Sequence, residues 1–366
     1  MTPRRFLGWL LIALFSYSLP LFPQDALQSV EIAGSQLLKL TSVIVPGQEY
    51  AIQVNLPGNY SDTTQRYPVI YVLDGQWDFP LVTALYGQLY YDGFIPASIV
   101  VGITWGGKNP KHDSLRARDF TPSHNASIPQ SGNGAAFLSF IMRELSPFIE
   151  SKFRTTGDRT LMGSSFGGLF TLYAMFHEPA FFQRYIAASP AIGWNRMDIA
   201  SDEEKFARSP EHPAVSLYMA IGEYEDAQGF QRFVDRLQSR SRKGLRLGSK
   251  VLENTGHSGS KAEGFTRGLQ FVFARPSLDL DLKTLNEYTG VYQVGPGMTV
   301  TLFVEQGRLH GRTPEGTVLP LQAESKADFY VKGQFLFLHM KRDETGMVTG
   351  FQLDRYGSTM FVRKIK

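Results

Sequence analysis

The sequence predicts an α/β fold, a mainly parallel sheet with helices on both faces, followed by a small antiparallel β-barrel-like domain. Three observations carry this. Up to about residue 273, apolar β-prone runs alternate with stretches of helical spacing, the pattern of a parallel sheet covered by helices. After Pro276 short alternating strands take over, separated by Gly-containing turns at roughly ten-residue spacing. The length of 366 residues exceeds one ordinary domain, and shares of 43% hydrophobic and 19% charged residues suit a chain that buries a sizeable core.

At the amino terminus Arg4 and Arg5 precede an apolar run from Phe6 to Phe15, followed by Ser16, Ser18, Pro20 and Pro23. A basic head and an apolar run of about 10 residues form the pattern of a secretory signal, too short to span a bilayer comfortably. Residues 1–24 are assigned to it, and the body of the protein is expected to be exported, periplasmic or extracellular. No Ala-x-Ala precedes Asp25, so an uncleaved anchor is the alternative. No later segment reaches spanning length.

The body opens with Tyr50–Leu56, whose alternation predicts a half-exposed strand. Tyr67–Leu73 and Ala97–Ile103 are nearly all apolar, as strands buried on both faces should be, with helical content between them from Phe79 to Tyr91. Ala136–Phe153 carries Phe137, Phe140, Ile141, Leu145, Phe148 and Ile149 at helical spacing. Strand Thr160–Met162, a glycine-rich turn and helix Leu169–Phe176 follow. Strands are then expected at Arg184–Ala188, Ser216–Ile221 and Lys250–Glu253, and helices at Phe230–Arg240 and Glu263–Phe273. These elements make a domain over 25–273, with a linker over 274–284 and the small β domain over 285–366. Its strands are read at Met298–Val304, Gly307–Gly311, Phe329–Val331, Phe335–His339, Gly350–Asp354 and Met360–Arg363.

Totals exclude several functions. The formal charge of +3 is small and its basic residues are scattered, which argues against a nucleic-acid partner. With no cysteine there are no disulfides, thiolate metal sites, Cys nucleophile or lipid-bearing amino-terminal Cys, and an oxidising compartment is compatible. The residues call for no metal or cofactor.

Chemistry concentrates at Gly163-Ser164-Ser165-Phe166-Gly167, which fits Gly-x-Ser-x-Gly. On a strained strand-to-helix turn the serine hydroxyl is lifted above the sheet, and side chains two residues to either side would clash. The following amide, Phe166 N–H, points at a developing oxyanion. An apolar strand before and an apolar helix after supply the context. A serine nucleophile needs a base, and chain order in such sites runs Ser, acid, His. Of seven histidines, His112 and His124 precede Ser165, His177 lies in the helix after it, His212 sits in a polar loop, and His310 and His339 fall in the β domain. His257, in a Gly-rich loop after a late strand, is the candidate base. The acid is expected just beyond Ser216–Ile221, where Glu225 ranks ahead of Asp226 and Glu223. The second oxyanion donor is expected from the turn Asp74-Gly75-Gln76, as the amide of Gln76, with a tight turn built on Gly75 as the plainer role.

These segments resemble the esterase family of α/β hydrolases, which includes S-formylglutathione hydrolases, siderophore (enterobactin-type) esterases, feruloyl esterases and mycolyltransferases. The resemblance covers about residues 31–273. It rests on Gly47–Tyr50 with Val54–Pro57, Tyr67–Gly75, Arg116-Ala117-Arg118-Asp119-Phe120-Thr121-Pro122, Gly163–Gly168, Ser189-Pro190 with Trp194, and Gly256-His257-Ser258. It implies the α/β-hydrolase fold, Ser165 as nucleophile, His257 as base, Glu225 as acid, and the amides of Gln76 and Phe166 as oxyanion hole. It implies also that some siderophore esterases act with a Ser–His pair alone. Arg118 and Trp194 are its candidates for substrate binding, with pairing to Asp119 as the alternative for Arg118. Leu285–Tyr292 looks like the start of the small β domain appended to some secreted serine hydrolases. The expected function is hydrolysis of a small-molecule carboxylic ester through an acyl-enzyme, on siderophore, feruloyl or acyl-sugar esters. Acyl transfer by the same residues, or a non-catalytic ligand-binding module, are the alternatives.

Overall fold

The computed structural model describes residues 31–366 apart from 63, 197, 210–212, 241–243 and 357. The expected signal over 1–24 and His212 lie outside the described residues.

The first sheet has eight strands: β1 (Ser35–Thr41), β2 (Glu49–Asn55), β3 (Tyr67–Val72), β4 (Ile99–Trp105), β5 (Thr155–Ser164), β6 (Arg184–Ala188), β7 (Val215–Gly222) and β8 (Leu245–Leu252). Their spatial order is β1-β2-β4-β3-β5-β6-β7-β8. The pairs β1–β2 and β2–β4 are antiparallel, and the pairs from β4–β3 to β7–β8 are parallel. Burial follows from this placement. Every residue of β4 is buried, whereas β2 alternates, with Tyr50, Ile52 and Val54 inward. Because β3 and β5 to β8 run parallel, the turns that follow them gather at one end of the sheet, where ligands bind open α/β sheets.

Among the described residues eight helices accompany the sheet: α1 (Gly75–Tyr91), α2 (His112–Phe120), α3 (Gly134–Phe140), α4 (Ser146–Lys152), α5 (Phe166–His177), α6 (Asp198–Arg208), α7 (Ala227–Ser239) and α8 (Ser260–Val272). The single helix expected over Ala136–Phe153 is instead α3 and α4 joined by a π-helical turn, Ile141–Leu145. The Arg116–Asp119 segment lies in α2. Its mean hydropathy is low because one face meets charged partners, and so apolar periodicity does not mark it as a helix. Among the described residues no helix is long and apolar enough to cross a membrane.

The second sheet is antiparallel: β9 (Gly290–Gly295), β10 (Met298–Glu305), β11 (Arg308–Arg312), β12 (Val318–Pro320), β13 (Gln322–Ala323), β14 (Asp328–Tyr330), β15 (Leu336–Arg342), β16 (Val348–Arg355) and β17 (Ser358–Lys364). Its order, β12-β11-β10-β9-β17-β16-β15-β14-β13, places two consecutive chain segments at opposite edges. Only Leu321 separates them, its N–H bonded to Leu309 O, so the sheet curls into a nearly closed barrel. Leu302, Leu309, Leu338, Phe351 and Val362 fill it, with Leu285 and Tyr288 brought in by a short helix, α9 (Leu282–Glu287). That helix begins inside the stretch expected as linker.

The barrel meets the α/β body at the carboxyl end of α1. Tyr91 stacks on Tyr356 at 4.9 Å, Tyr90 meets Phe335 edge-on at 5.2 Å, and a Cβ on Gly93 would lie 2.5 Å from Gln334 O. Seventeen residues at 1.5 Å each put this junction about 25 Å from the helix's amino end.

Candidate active site

Ser165 stands between β5 and α5 with φ 59° and ψ −119°, a left-handed backbone that a non-glycine residue adopts only under constraint. Its N–H donates to Ala188 O at 3.0 Å, and its carbonyl accepts from Leu169 N at 2.9 Å and Ala191 N at 3.1 Å. A Cβ on Gly163 would lie 2.7 Å from the Gly167 backbone, so the first motif glycine is sterically required. The last is not equally so: a Cβ on Gly167 would meet Leu73 Cβ at 3.4 Å. The tighter demand falls on Gly168, against Pro190 Cα at 3.0 Å. Ser165 is half-buried at the positive end of α5.

The turns after β7 and β8 supply the pair expected to serve it. His257 Nδ1 lies 2.5 Å from Glu225 Oε2. Glu225 Oε1 accepts from Ser189 Oγ at 2.6 Å and from Gly222 N at 2.9 Å. Burial raises the Glu225 carboxyl, but hydrogen bonds from Ser189, His257 and Gly222 outweigh it and hold the group below the usual carboxylate range. The three carboxylates of this turn are thus told apart by partner: Asp226 Oδ1 caps α7 through Gly229 N at 2.8 Å, and Glu223 Oε2 accepts from Asn254 N at 2.8 Å. Only Glu225 meets the imidazole. Among the described residues Ser165 Oγ has no hydrogen bond to His257; such contacts are often long in unliganded sites.

Ser189 and Ser260 tie the base to the nucleophile's surroundings. Ser189 has φ 41°, donates its N–H to Ala220 O at 2.7 Å, and follows Ala188, the acceptor for Ser165 N. Its hydroxyl is 2.6 Å from Ser260 Oγ, which donates to His257 O at 2.7 Å. Ser189-Pro190 entered above only as a family segment, because nothing in sequence order shows two serines 71 residues apart in contact.

Opposite them lies the turn after β3. Asp74, not Gly75, takes the left-handed conformation, at φ 53°. Gly75 is needed for close approach: a Cβ there would lie 2.6 Å from Gln53 Oε1 and 3.0 Å from the Gly102 backbone. Gln76 and Phe166 occupy the first turns of α1 and α5, where backbone N–H groups lack intrahelical acceptors. Buried Asp74 accepts a bidentate pair from Arg116, Nε to Oδ1 at 3.1 Å and Nη2 to Oδ2 at 2.8 Å. The Arg116 guanidinium also lies 5.3 Å from the Phe166 ring and 5.7 Å from the Trp77 ring.

The two residues expected at the substrate are otherwise engaged. Arg118 forms a forked pair with Asp119 at 2.7 and 2.9 Å and reaches Gln48 Oε1 at 3.1 Å. This is the pairing named as its alternative. Trp194 is buried, donates Nε1–H to Ser123 O at 3.2 Å, and meets Phe166 edge-on at 5.2 Å.

Fold and site together define a carboxylic ester hydrolase of the α/β-hydrolase type. The Esterase family model matches residues 44–251, and the chain belongs to that family. It is 31% identical over 229 residues to the ferri-bacillibactin esterase BesA of Bacillus subtilis, covering 56% of this chain and 78% of the relative. It is 29% identical over 221 residues to the siderophore triacetylfusarinine C esterase of Aspergillus fumigatus, covering 57% and 76%. Among solved structures, the BES protein from Bacillus cereus superposes with a TM-score of 0.62 at 28% identity, covering 68% of this chain and 97% of that one. The family model ends before the barrel begins.

Proposed function

We propose that the protein hydrolyses ester bonds of a siderophore through an acyl-enzyme. Ser165 Oγ attacks the ester carbonyl carbon while its proton passes to His257 Nε2, and Glu225 holds the ring with Nδ1–H directed at Oε2. The oxyanion collects between the Gln76 and Phe166 amides. Collapse breaks the ester C–O bond, and His257 returns the proton to the leaving alkoxide. Water then repeats the sequence and releases the acid and Ser165. The His257–Glu225 contact, on turns at the same end of the sheet as the strained serine, is the observation that carries the mechanism. The substrate class rests on the names of the relatives.

The test uses the purified chain on iron-loaded and iron-free trilactone siderophores, with short p-nitrophenyl esters alongside, reading products by mass spectrometry. Lactone opening by the wild type, its absence in Ser165→Ala, and covalent labelling of Ser165 by a fluorophosphonate are the expected results. Turnover surviving in Ser165→Ala overturns the mechanism; aryl-ester turnover with intact trilactones overturns the substrate class.

A further inference from the structure

Asp78 and Lys261 connect the two sides of the site through a contact that no step of the reaction uses. Lys261 Nζ lies 2.7 Å from Asp78 Oδ1, across 183 residues of sequence. Asp78 is in the first turn of α1, two residues after Gln76. Lys261 is in the first turn of α8, four residues after His257. The other anchors of the His257 turn described above come from the side of β6 and β7: Ser189, Glu225 and the Tyr224 N–H bonded to Thr255 O at 3.1 Å. Lys261 supplies an attachment from the side of β3.

The pair is poorly built for stability. Asp78 is 1% exposed, and among the described residues its Oδ2 has no hydrogen-bond partner. A buried carboxylate with one oxygen unmet is a liability to the fold. The groups facing it are Lys261 from α8, Arg116 from α2 and Asp74 just before its own helix. Lys261 and Arg116 both approach the Trp77 ring, at 5.9 and 5.7 Å.

We propose that the Asp78–Lys261 ion pair is a positioning element of the esterase site, holding the turn that carries His257 in register with the turn that carries the Gln76 amide. The inference rests on the roles given above to Ser165, His257 and Gln76. Burial pushes the Asp78 carboxyl up to about 6 against the pull of Lys261, with Asp74 adding to the rise and Arg116 opposing it. A carboxyl raised in the folded state favours the fold when it is protonated. Acidification through about 6 therefore loosens the clamp without this group weakening the protein.

Asp78→Asn separates the two roles. At pH 7.5 we expect it to unfold no earlier than wild type, because the uncharged amide is cheaper to bury and Lys261 can turn to solvent. Its kcat on a p-nitrophenyl ester should fall roughly ten- to a hundredfold with KM little changed. The acid limb of log kcat against pH should be steeper than one proton in wild type and reduced to a single-proton slope in Asp78→Asn. Lys261→Arg should keep most of kcat, whereas Lys261→Met should lose both kcat and thermal stability by leaving Asp78 buried alone. Wild-type kcat in Asp78→Asn, or an unchanged acid limb, overturns the proposal; if that variant fails to fold, full kcat in Lys261→Met does so. Ser165→Ala measured in parallel keeps the outcomes apart, since turnover there refutes the assignment of the site and not the clamp.

Discussion

His257 Nδ1 lies 2.5 Å from Glu225 Oε2, and this contact joins the ends of two adjacent parallel strands. In the proposed mechanism Glu225 is the partner that selects the ring tautomer. Glu225→Gln keeps the size but turns either an amide N–H or a weaker acceptor toward Nδ1. We expect kcat to fall roughly 10²- to 10⁴-fold with KM little changed, measured on a p-nitrophenyl ester. The carboxyl is held below its usual range, so the stability it contributes is present above that range and lost as pH falls through its folded value. Thermal unfolding of wild type and Glu225→Gln should therefore differ at neutral pH and converge in strong acid.

What could be read from the sequence follows from where the physical constraint is local. Ser165 is legible because a strained turn demands small neighbours within two residues, and His257 because chain order leaves one late histidine in the right setting. The buried strands are legible as apolar runs. Helix α2 and edge strand β1 are not, since one carries charge for partners far along the chain and the other buries little. The choice among Glu223, Glu225 and Asp226 depends on which carboxylate meets a ring 32 residues away. Ser189, Arg116, Asp78 and Lys261 belong to the same class of fact: each matters through a contact made only after folding.

Gly222 and Gly256 offer a steric test of the His257 turn. A Cβ on Gly222 would lie 2.3 Å from Thr255 O, while a Cβ on Gly256 would meet nothing within 4 Å. Gly222→Ala must push the Thr255–His257 segment away from β7. We expect it to cost about 1–3 kcal/mol in denaturant unfolding and to lower kcat at least tenfold. Gly256→Ala should change stability by no more than about 0.5 kcal/mol. Equal effects from the two would show that crowding at Gly222 is relieved elsewhere.

Arg116 holds Asp74, whose left-handed backbone turns the chain from β3 into α1. Arg116→Ala leaves a fully buried carboxylate unpaired, which should cost about 3–5 kcal/mol in denaturant unfolding and lower kcat together with it. Arg116→Lys restores the charge without the fork, so stability should recover more than kcat does. A lysine variant with full activity would mean that charge alone, not bidentate geometry, sets the Gln76 amide.

In the barrel, His339 bridges two carboxylates across neighbouring strands, Nδ1 to Asp328 Oδ1 at 2.9 Å and Nε2 to Asp354 Oδ2 at 3.0 Å. Each ring nitrogen therefore has a carboxylate oxygen within hydrogen-bond reach. The Asp328 carboxyl is held below its usual range, first by the Ser325 hydroxyl and then by His339, against burial. Its contribution to stability is accordingly present above the ordinary carboxylate range and fades as pH falls through its folded value. All three side chains are about a third exposed, and water screens the pair. We therefore expect His339→Ala to cost no more than about 1 kcal/mol in mildly acidic solution. The difference in thermal unfolding between wild type and variant should shrink in strong acid, where Asp328 is protonated. A difference that stays constant across that range would assign His339 a packing role and remove charge from the account.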